Sequence, residues 1–350
     1  MVKDQTIYFK ALQALHGDAL QIRYFGDDKS YHNIFIDGGF ISTFRRTIKK
    51  DVENIINSKE KIDLFIITHT DSDHISGVLQ FVKEFGHLGL VKKYWFNHFD
   101  FITNIDDSSQ KISISDGILL RDLLKKSGEV SNKTITEGNR YSLYGAKITI
   151  LSPNPLDLDK FYHSWRKNEE FDKMSKSQIA TDETDYSHSI LDLSKKKFVE
   201  DQKLVNRTSI SFIFEIYDKK LLILADSHPT QIITALTNLG YSSSKRLNAS
   251  CVKLPHHASK RNINNDLISI INSDSYIISA NGKNQFGFPH KEPLSRILGH
   301  MDRDLSHRIK LFFNYNNEIL QSIFTVEEEE SFNFQLIFPR ENDYGISITI

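Results

Sequence analysis

The stretch IDLFIITHTDSDHISG, residues 62–77, opens as one kind of structure and ends as another. Its apolar run at 64–67, rich in Ile and Phe, predicts a strand buried on both faces. The run breaks into His69, Asp71, Asp73 and His74. Two imidazoles and two carboxylates just past a buried strand form a loop that can chelate a metal. Imidazole suits zinc, iron or manganese, and carboxylate oxygen widens the choice toward manganese and magnesium. Helical spacing over 75–85 would aim a helix N-terminus at the same place. A polar turn with Asp73 as N-cap accounts for one of the four side chains and leaves three unexplained. A calcium loop of the EF-hand type is excluded: counting from Asp71, position six is Ser76 rather than Gly, and position twelve is Val82 rather than Glu.

With 350 residues the chain has ample material for a deep core, and a formal charge of −1 gives no global field toward nucleic acid or membrane. The single cysteine, Cys251, rules out an internal disulfide framework and a cysteine-built zinc site. No stretch resembles a signal peptide or reaches membrane-spanning length, so the expected setting is cytoplasmic with no membrane partner.

Working outward, 6–11, 19–25 and 32–36 alternate as strands. His16-Gly17-Asp18 makes a polar corner between the first two, and Asp37-Gly38-Gly39 ends the third. Asp37 is expected to support the metal loop rather than bind metal itself. A helix over 43–58, a strand over 91–96 ending at Asn97-His98, a helix over 118–126 and a strand over 147–151 follow. Residues 156–205 change texture: rich in Lys, Asp, Glu and Ser, they read as a polar insertion, partly helical and mobile, with a solvated lid or a substrate-holding arm as its possible roles. Order resumes with a hairpin, 209–217 and 221–224, about Asp218-Lys219-Lys220. Then come a helix (230–239), a strand (252–254), a helix (266–271) and a strand (275–279). Strands at 310–313, 332–338 and 346–350 close the chain, and the acidic run 327–330 reads as a solvated turn. Several buried strands end in short bursts of His, Asp, Asn or Ser: Asp226-Ser227-His228, His256-His257, Asn281 and His290. Strand ends build the site in layered α/β folds, so these bursts are expected to converge. One domain over 1–350 with the insertion is the simplest organisation.

HTDSDH resembles the H-x-[HD]-x-D-H signature of the metallo-β-lactamase fold. More narrowly, the chain resembles the branch typified by the metallo-hydrolase domain of the DNA-uptake competence channel protein. That branch has an Asp where Asp71 stands. HGDAL (16–20), FIDGG (35–39), ILSP (150–153), NRTSI (206–210), LLILADSH (221–228), KLPHHAS (253–259) and ISANGKNQFGFPH (278–290) carry the likeness along most of the chain. Only 156–205 lacks a counterpart.

The resemblance implies a four-layer αββα sandwich and two divalent ions, zinc or manganese with magnesium also admissible. One ion would take His69, Asp71 and Asp226; the other would take Asp73, His74, Asp226 and His256. Where many members have a further histidine this chain has Asn206, whose amide is a weak ligand. The implied chemistry is hydrolysis by a hydroxide that the two ions share. Asp73 would orient the attacking oxygen, and His257 and His290 would protonate the leaving group or hold an oxyanion. For His257 a place behind His256, as its supporting partner, is the competing role. Ser279, Asn281 and Lys283 would sit on the rim as substrate contacts. Lys253, Lys260, Arg261, Lys283, Lys291 and Arg296 cluster in sequence and form a candidate phosphate track for nucleic acid. Two other readings stand beside a phosphodiesterase or nuclease: a hydrolase of a small ester, amide or cyclic nucleotide, and a sensor or partner-binding module of a bacterial antiphage defence system.

Overall fold

A computed structural model of the chain describes residues 5–98, 112–127, 129–131, 133–166 and 184–350. Among these residues the strands form two large sheets and a small pair. The first sheet contains β1 (Ile7–Leu12), β2 (Leu20–Phe25), β3 (Tyr31–Ile36), β4 (Ile62–Ile67), β5 (Lys93–Phe96), β6 (Glu129–Val130) and, from the far end of the chain, β17 (Gly345–Thr349). Its order is β17-β1-β2-β3-β4-β5-β6, and β3 to β6 run parallel.

The second sheet contains β7 (Arg140–Leu143), β8 (Ala146–Ser152), β9 (Ser211–Ile216), β10 (Lys219–Ile223), β12 (Cys251–Lys253), β14 (Ser275–Ile278), β15 (Ile309–Phe313) and β16 (Phe334–Ile337). It runs β16-β15-β14-β12-β10-β9-β8-β7, with β10, β12, β14, β15 and β16 parallel. The short β11 (Leu247–Asn248) and β13 (Ile271–Asn272) form the separate pair.

Three apolar layers separate two sheets and two sets of helices. Ile22, Ile34, Leu64 and Ile66 from the first sheet meet Ile148, Phe212, Phe214 and Ile223 from the second. On its other side the first sheet turns Phe35, Phe65 and Ile67 toward Ile48, Val52, Ile75, Val78 and Phe81 of the helices Phe44–Ile48, Lys49–Asn57 and Ser72–Phe85. The second sheet is covered outside by the helices Pro229–Asn238, Asn265–Ile270 and Lys291–Leu298. This is the expected four-layer αββα sandwich. It explains why β4 reads as unbroken apolar sequence: Leu64 and Ile66 fill one core while Phe65 and Ile67 fill the other. Each such side chain, fully buried, stabilises the fold by about 1.5–3 kcal/mol.

Several local expectations change. The hairpin turns at Tyr217-Asp218, both with positive φ (54° and 61°), so Lys219 already pairs with Ile216. The helix after β4 begins at Ser72 with Asp71, not Asp73, at its N-cap. The acidic run is no solvated turn. It forms a capped helix, Val326–Ser331, whose Glu328 accepts from Lys291 Nζ at 2.8 Å.

The polar segment 156–205 also differs from the expected mobile arm, although 167–183 lie outside the described residues. Its helix Ile190–Ser194 packs on Lys291–Leu298, and the Asp185 carboxylate caps that helix, accepting from the amides of Lys291 (2.8 Å) and Glu292 (2.9 Å). Three of its polar side chains, Asp157, Asp185 and Asp201, serve as fasteners, which composition alone does not distinguish from solvated ones. No helix among the described residues is long and apolar enough to cross a membrane.

Candidate metal centre

The carboxyl ends of β3 and β4 in one sheet and β10, β12 and β14 in the other open on the same side of the sandwich. Asp37 follows β3, His69 to His74 follow β4, Asp226 follows β10, and His256 and His257 follow β12. Close backbone approach makes this possible. A Cβ on Gly17 would fall 2.0 Å from the Asp73 carbonyl oxygen, and one on Gly77 would fall 1.8 Å from that of Gly38. Glycine is required at both.

The histidine hydrogen bonds fix which nitrogen carries the proton. Asp37 accepts from His74 Nδ1 at 2.7 Å, from the Thr68 amide at 2.8 Å and from the Thr68 hydroxyl at 2.6 Å. Thr68 has thereby used its hydroxyl hydrogen, so at 3.0 Å it accepts from His69 Nδ1. The Ser279 carbonyl accepts from His257 Nδ1 at 3.1 Å. Asn262 directs its amide nitrogen to the Asp226 and Ser227 carbonyls, leaving its oxygen to accept from His256 Nδ1 at 3.0 Å. All four rings therefore turn Nε2 to one point, the Asp226 carboxylate, and a metal displacing any proton there would meet a lone pair on each.

Those nitrogens stand from carboxylate oxygens at separations too long for hydrogen bonds. The distances are His74 Nε2–Asp226 Oδ1 3.5 Å, His256 Nε2–Asp226 Oδ2 3.6 Å, His257 Nε2–Asp73 Oδ2 3.6 Å, His257 Nε2–Asp226 Oδ2 3.7 Å, His69 Nε2–Asp71 Oδ2 3.8 Å and His69 Nε2–Asp226 Oδ2 3.9 Å. Two ligands each ~2.1 Å from one ion at a tetrahedral angle stand about 3.4 Å apart. His69 Nε2, His74 Nε2, His257 Nε2 and Asp226 Oδ1 are buried without a hydrogen-bond partner. Buried lone pairs converging on a buried carboxylate call for a cation, and the donor set fits a divalent one. His69, His74 and Asp226 form one group able to hold an ion; Asp73, His74 and His257 form another.

The electrostatics point the same way. Burial works against charge on Asp226, yet His256, His74 and His257 hold its carboxyl well below the usual range. Burial would also lower His74 and His256, but Asp226 with Asp37 and Asp73 raises His74, and Asp226 with Asp201 raises His256 to about 9. Burial and the neighbouring Asp73 push Asp71 up to about 6, while burial and His74 take His69 down to about 4. The cluster draws positive charge.

Some residues stand elsewhere than the sequence suggested. His257, rather than His256, meets Asp73 and His74; His256 reaches Asp226 from another side. The backbone explains it: His256, His257 and Ala258 all have positive φ (45°, 54° and 60°). Ser279 is no rim contact but fully buried, supporting His257 through its carbonyl and Gly17 through its hydroxyl at 2.8 Å. Asn281 closes its own turn, accepting from the Lys283 amide at 3.2 Å, while Lys283 itself is exposed.

Asn206 is fully buried and donates to Asp201 at 2.6 Å. His290 stands one ring removed, its edge on Phe288, which in turn touches His256 and His257; burial lowers it to about 4. The phosphate track loses half its members. Lys253 is buried on Asp18 at 2.6 Å, Lys291 on Glu328, and Arg296 on Glu292 at 2.8 Å.

Three residues at the site escaped sequence reasoning. Asp18 lies 3.6 Å from His257 Nδ1 and neutralises Lys253; its place in the His16-Gly17-Asp18 corner was the available signal. His16, half-buried between the edges of Phe40 and Phe286, is held below its ordinary pKa by burial. Asp201 comes from the polar insertion, where nothing in the sequence marked it.

No family model matches the chain, and no curated protein matches it. Solved structures similar to it include the metallo-beta-lactamase fold protein YhfI from Bacillus subtilis, at 8% identity and TM-score 0.44 over 99% of this chain and 100% of that one. Zn(2+)-bound PqqB from Methylobacterium extorquens is similar at 11% identity and TM-score 0.42, over 94% and 86% of the two chains. A diphosphatase from the PhnP family is similar at 11% identity and TM-score 0.41, over 98% and 97%.

Proposed function

We propose that this chain is a metal-dependent hydrolase of a small phosphodiester. The observation that carries the reading is the set of four Nε2 atoms aimed at the Asp226 carboxylate. In this reading His69, Asp71 and His256 would hold one divalent ion and Asp73, His74 and His257 the other, with Asp226 serving both. The carboxylates at both positions suit manganese or magnesium as well as zinc. Divalent ions bound there supply a water acidic enough to attack near neutral pH and a Lewis acid for the scissile group.

The chain's own residues do the rest. Asp73, partly exposed beside His257, orients the attacking water. His16 at the mouth, neutral at pH 7, is placed to take up or release a proton. Exposed Lys203, Lys260 and Arg261 lie near Asp71, His256 and His290 and favour an anionic substrate. With Lys253, Lys291 and Arg296 internal, the basic surface suits a small phosphodiester better than a polymer.

A nuclease of the kind suggested by the competence-channel resemblance, and a partner-binding defence module, are arms of the test. Purified protein is analysed for bound metal, then assayed with manganese, zinc and magnesium on bis(p-nitrophenyl) phosphate, labelled single-stranded and duplex nucleic acid, and a p-nitrophenyl carboxylic ester. Cleavage of the phosphodiester alone supports the reading. Polymer cleavage moves it to a nuclease, and ester cleavage alone moves it off phosphorus. Bound metal without hydrolysis, together with a stable protein partner, overturns the enzyme.

A further inference from the structure

The polar insertion brings a buried carboxylate to the metal cluster. Asp201 is 6% exposed. Its Oδ1 accepts from the Lys203 amide at 3.1 Å, and its Oδ2 accepts from Asn206 Nδ2 at 2.6 Å. The same Oδ2 lies 3.4 Å from His256 Nδ1 and 3.4 Å from His228 Nε2. Its main-chain amide donates to the Arg261 carbonyl at 3.0 Å, tying it to the loop that follows His256 and His257.

Both neighbouring rings turn a nitrogen toward this carboxylate, each at 3.4 Å. Arg207 Nη1 stands 3.4 Å from His228 Nδ1. A guanidinium has only donors, so His228 Nδ1 accepts and its proton sits on Nε2, toward Asp201. His256 carries its proton on Nδ1, between Asn262 Oδ1 and Asp201, which leaves its Nε2 lone pair for the cluster. Arg207 is itself held by Asp157 through contacts of 2.9 and 3.1 Å, and Asp157 also accepts from Gln231 at 2.9 Å. The result is a row of polar neighbours, Asp157, Arg207, His228, Asp201, His256 and Asp226, in which the contacts from Arg207 onward run 3.4–3.6 Å. Both supporting carboxylates, Asp157 and Asp201, come from the 156–205 insertion.

We propose that Asp201 is a positioning residue that fixes the His256 ring for metal binding, so that the insertion completes the metal centre instead of covering it. The proposal rests on the metal reading of the cluster. A partner on the far nitrogen of a metal-binding histidine sets the ring's orientation and raises its basicity, and losing one weakens metal binding about 10–100-fold.

The test measures Mn2+ and Zn2+ affinity and stoichiometry of the full chain by chelator competition for wild type, Asp201→Asn and Asp159→Asn. Asp159 is an exposed carboxylate of the same insertion and serves as the control. Asp201→Asn is expected to weaken one ion about 10–100-fold while still folding in chelator, and Asp159→Asn to be indistinguishable from wild type. Asp201→Asn that binds both ions with wild-type affinity overturns the proposal and leaves the metal reading intact. Asp201→Asn that fails to fold even with metal replaces the positioning role with a structural one. Wild type that binds neither ion overturns the metal reading itself.

Discussion

Strand β4 has a buried histidine–carboxylate cluster at each end, and the two differ in their spacings. At the start of β4, His32 Nε2 meets Asp28 at 2.8 Å and its Nδ1 lies 3.2 Å from Asp63, while Lys92 Nζ reaches Asp63 at 2.7 Å. The His32 ring stacks on Tyr144 at 3.7 Å. Two carboxylates meet a lysine and a histidine, and the distances are those of hydrogen bonds. Beyond the end of β4, the His69, His74 and His257 Nε2 atoms keep 3.5–3.9 Å from their carboxylates. The first cluster leaves one buried nitrogen, His32 Nδ1, without a hydrogen bond, whereas the second leaves three ring nitrogens and Asp226 Oδ1 without one and is arranged around something between its members. Residue type alone does not separate the two; the gap does.

The comparison breaks most directly at Asp226. Asp226→Asn removes the charge shared by the converging lone pairs, and divalent-metal affinity is expected to fall by more than about 10²-fold, beyond the cost of losing a supporting partner. Isothermal titration with Mn2+ measures it. Wild-type affinity in this variant would erase the difference between the two ends of β4.

A pH series sharpens the contrast. Because folding raises His256 from its ordinary value to about 9, its contribution to metal-free stability is complete below about pH 6.5 and is lost as pH rises through 9. Protein in chelator is therefore expected to lose about a few kcal/mol across that window, read as a falling urea midpoint. Added Mn2+ should reverse the trend, since metal replaces the proton. A flat midpoint in chelator contradicts the charge-seeking character of the cluster.

The smallest effect belongs to the other end. His32→Gln should reduce folding stability by about 1–3 kcal/mol through unmatched buried groups and leave metal affinity unchanged. A change in metal binding would show that the two clusters are not independent.

Local features were legible in the sequence, and partnerships across the chain were not. The β4 run and HTDSDH announce strand, loop and ligands because all three depend on near neighbours. Lys253 read as a phosphate contact because its partner Asp18 lies 235 residues earlier. Asp201 was invisible within a segment whose polar composition suggests solvent, although its carboxylate is buried against His228 and His256. The roles of His256 and His257 could not be divided either. A run of left-handed backbone decides where the two rings go, and no glycine marks it.

That run has a consequence for how the site and the fold depend on each other. In a strand, adjacent side chains leave on opposite faces, yet His256 Nε2 and His257 Nε2 both come within 3.7 Å of the same Asp226 oxygen. Each non-glycine residue held in this conformation costs about 1–3 kcal/mol and persists only where its surroundings over-determine it. The corner behaves as a set spring, with its latch formed by whatever the two rings grip together.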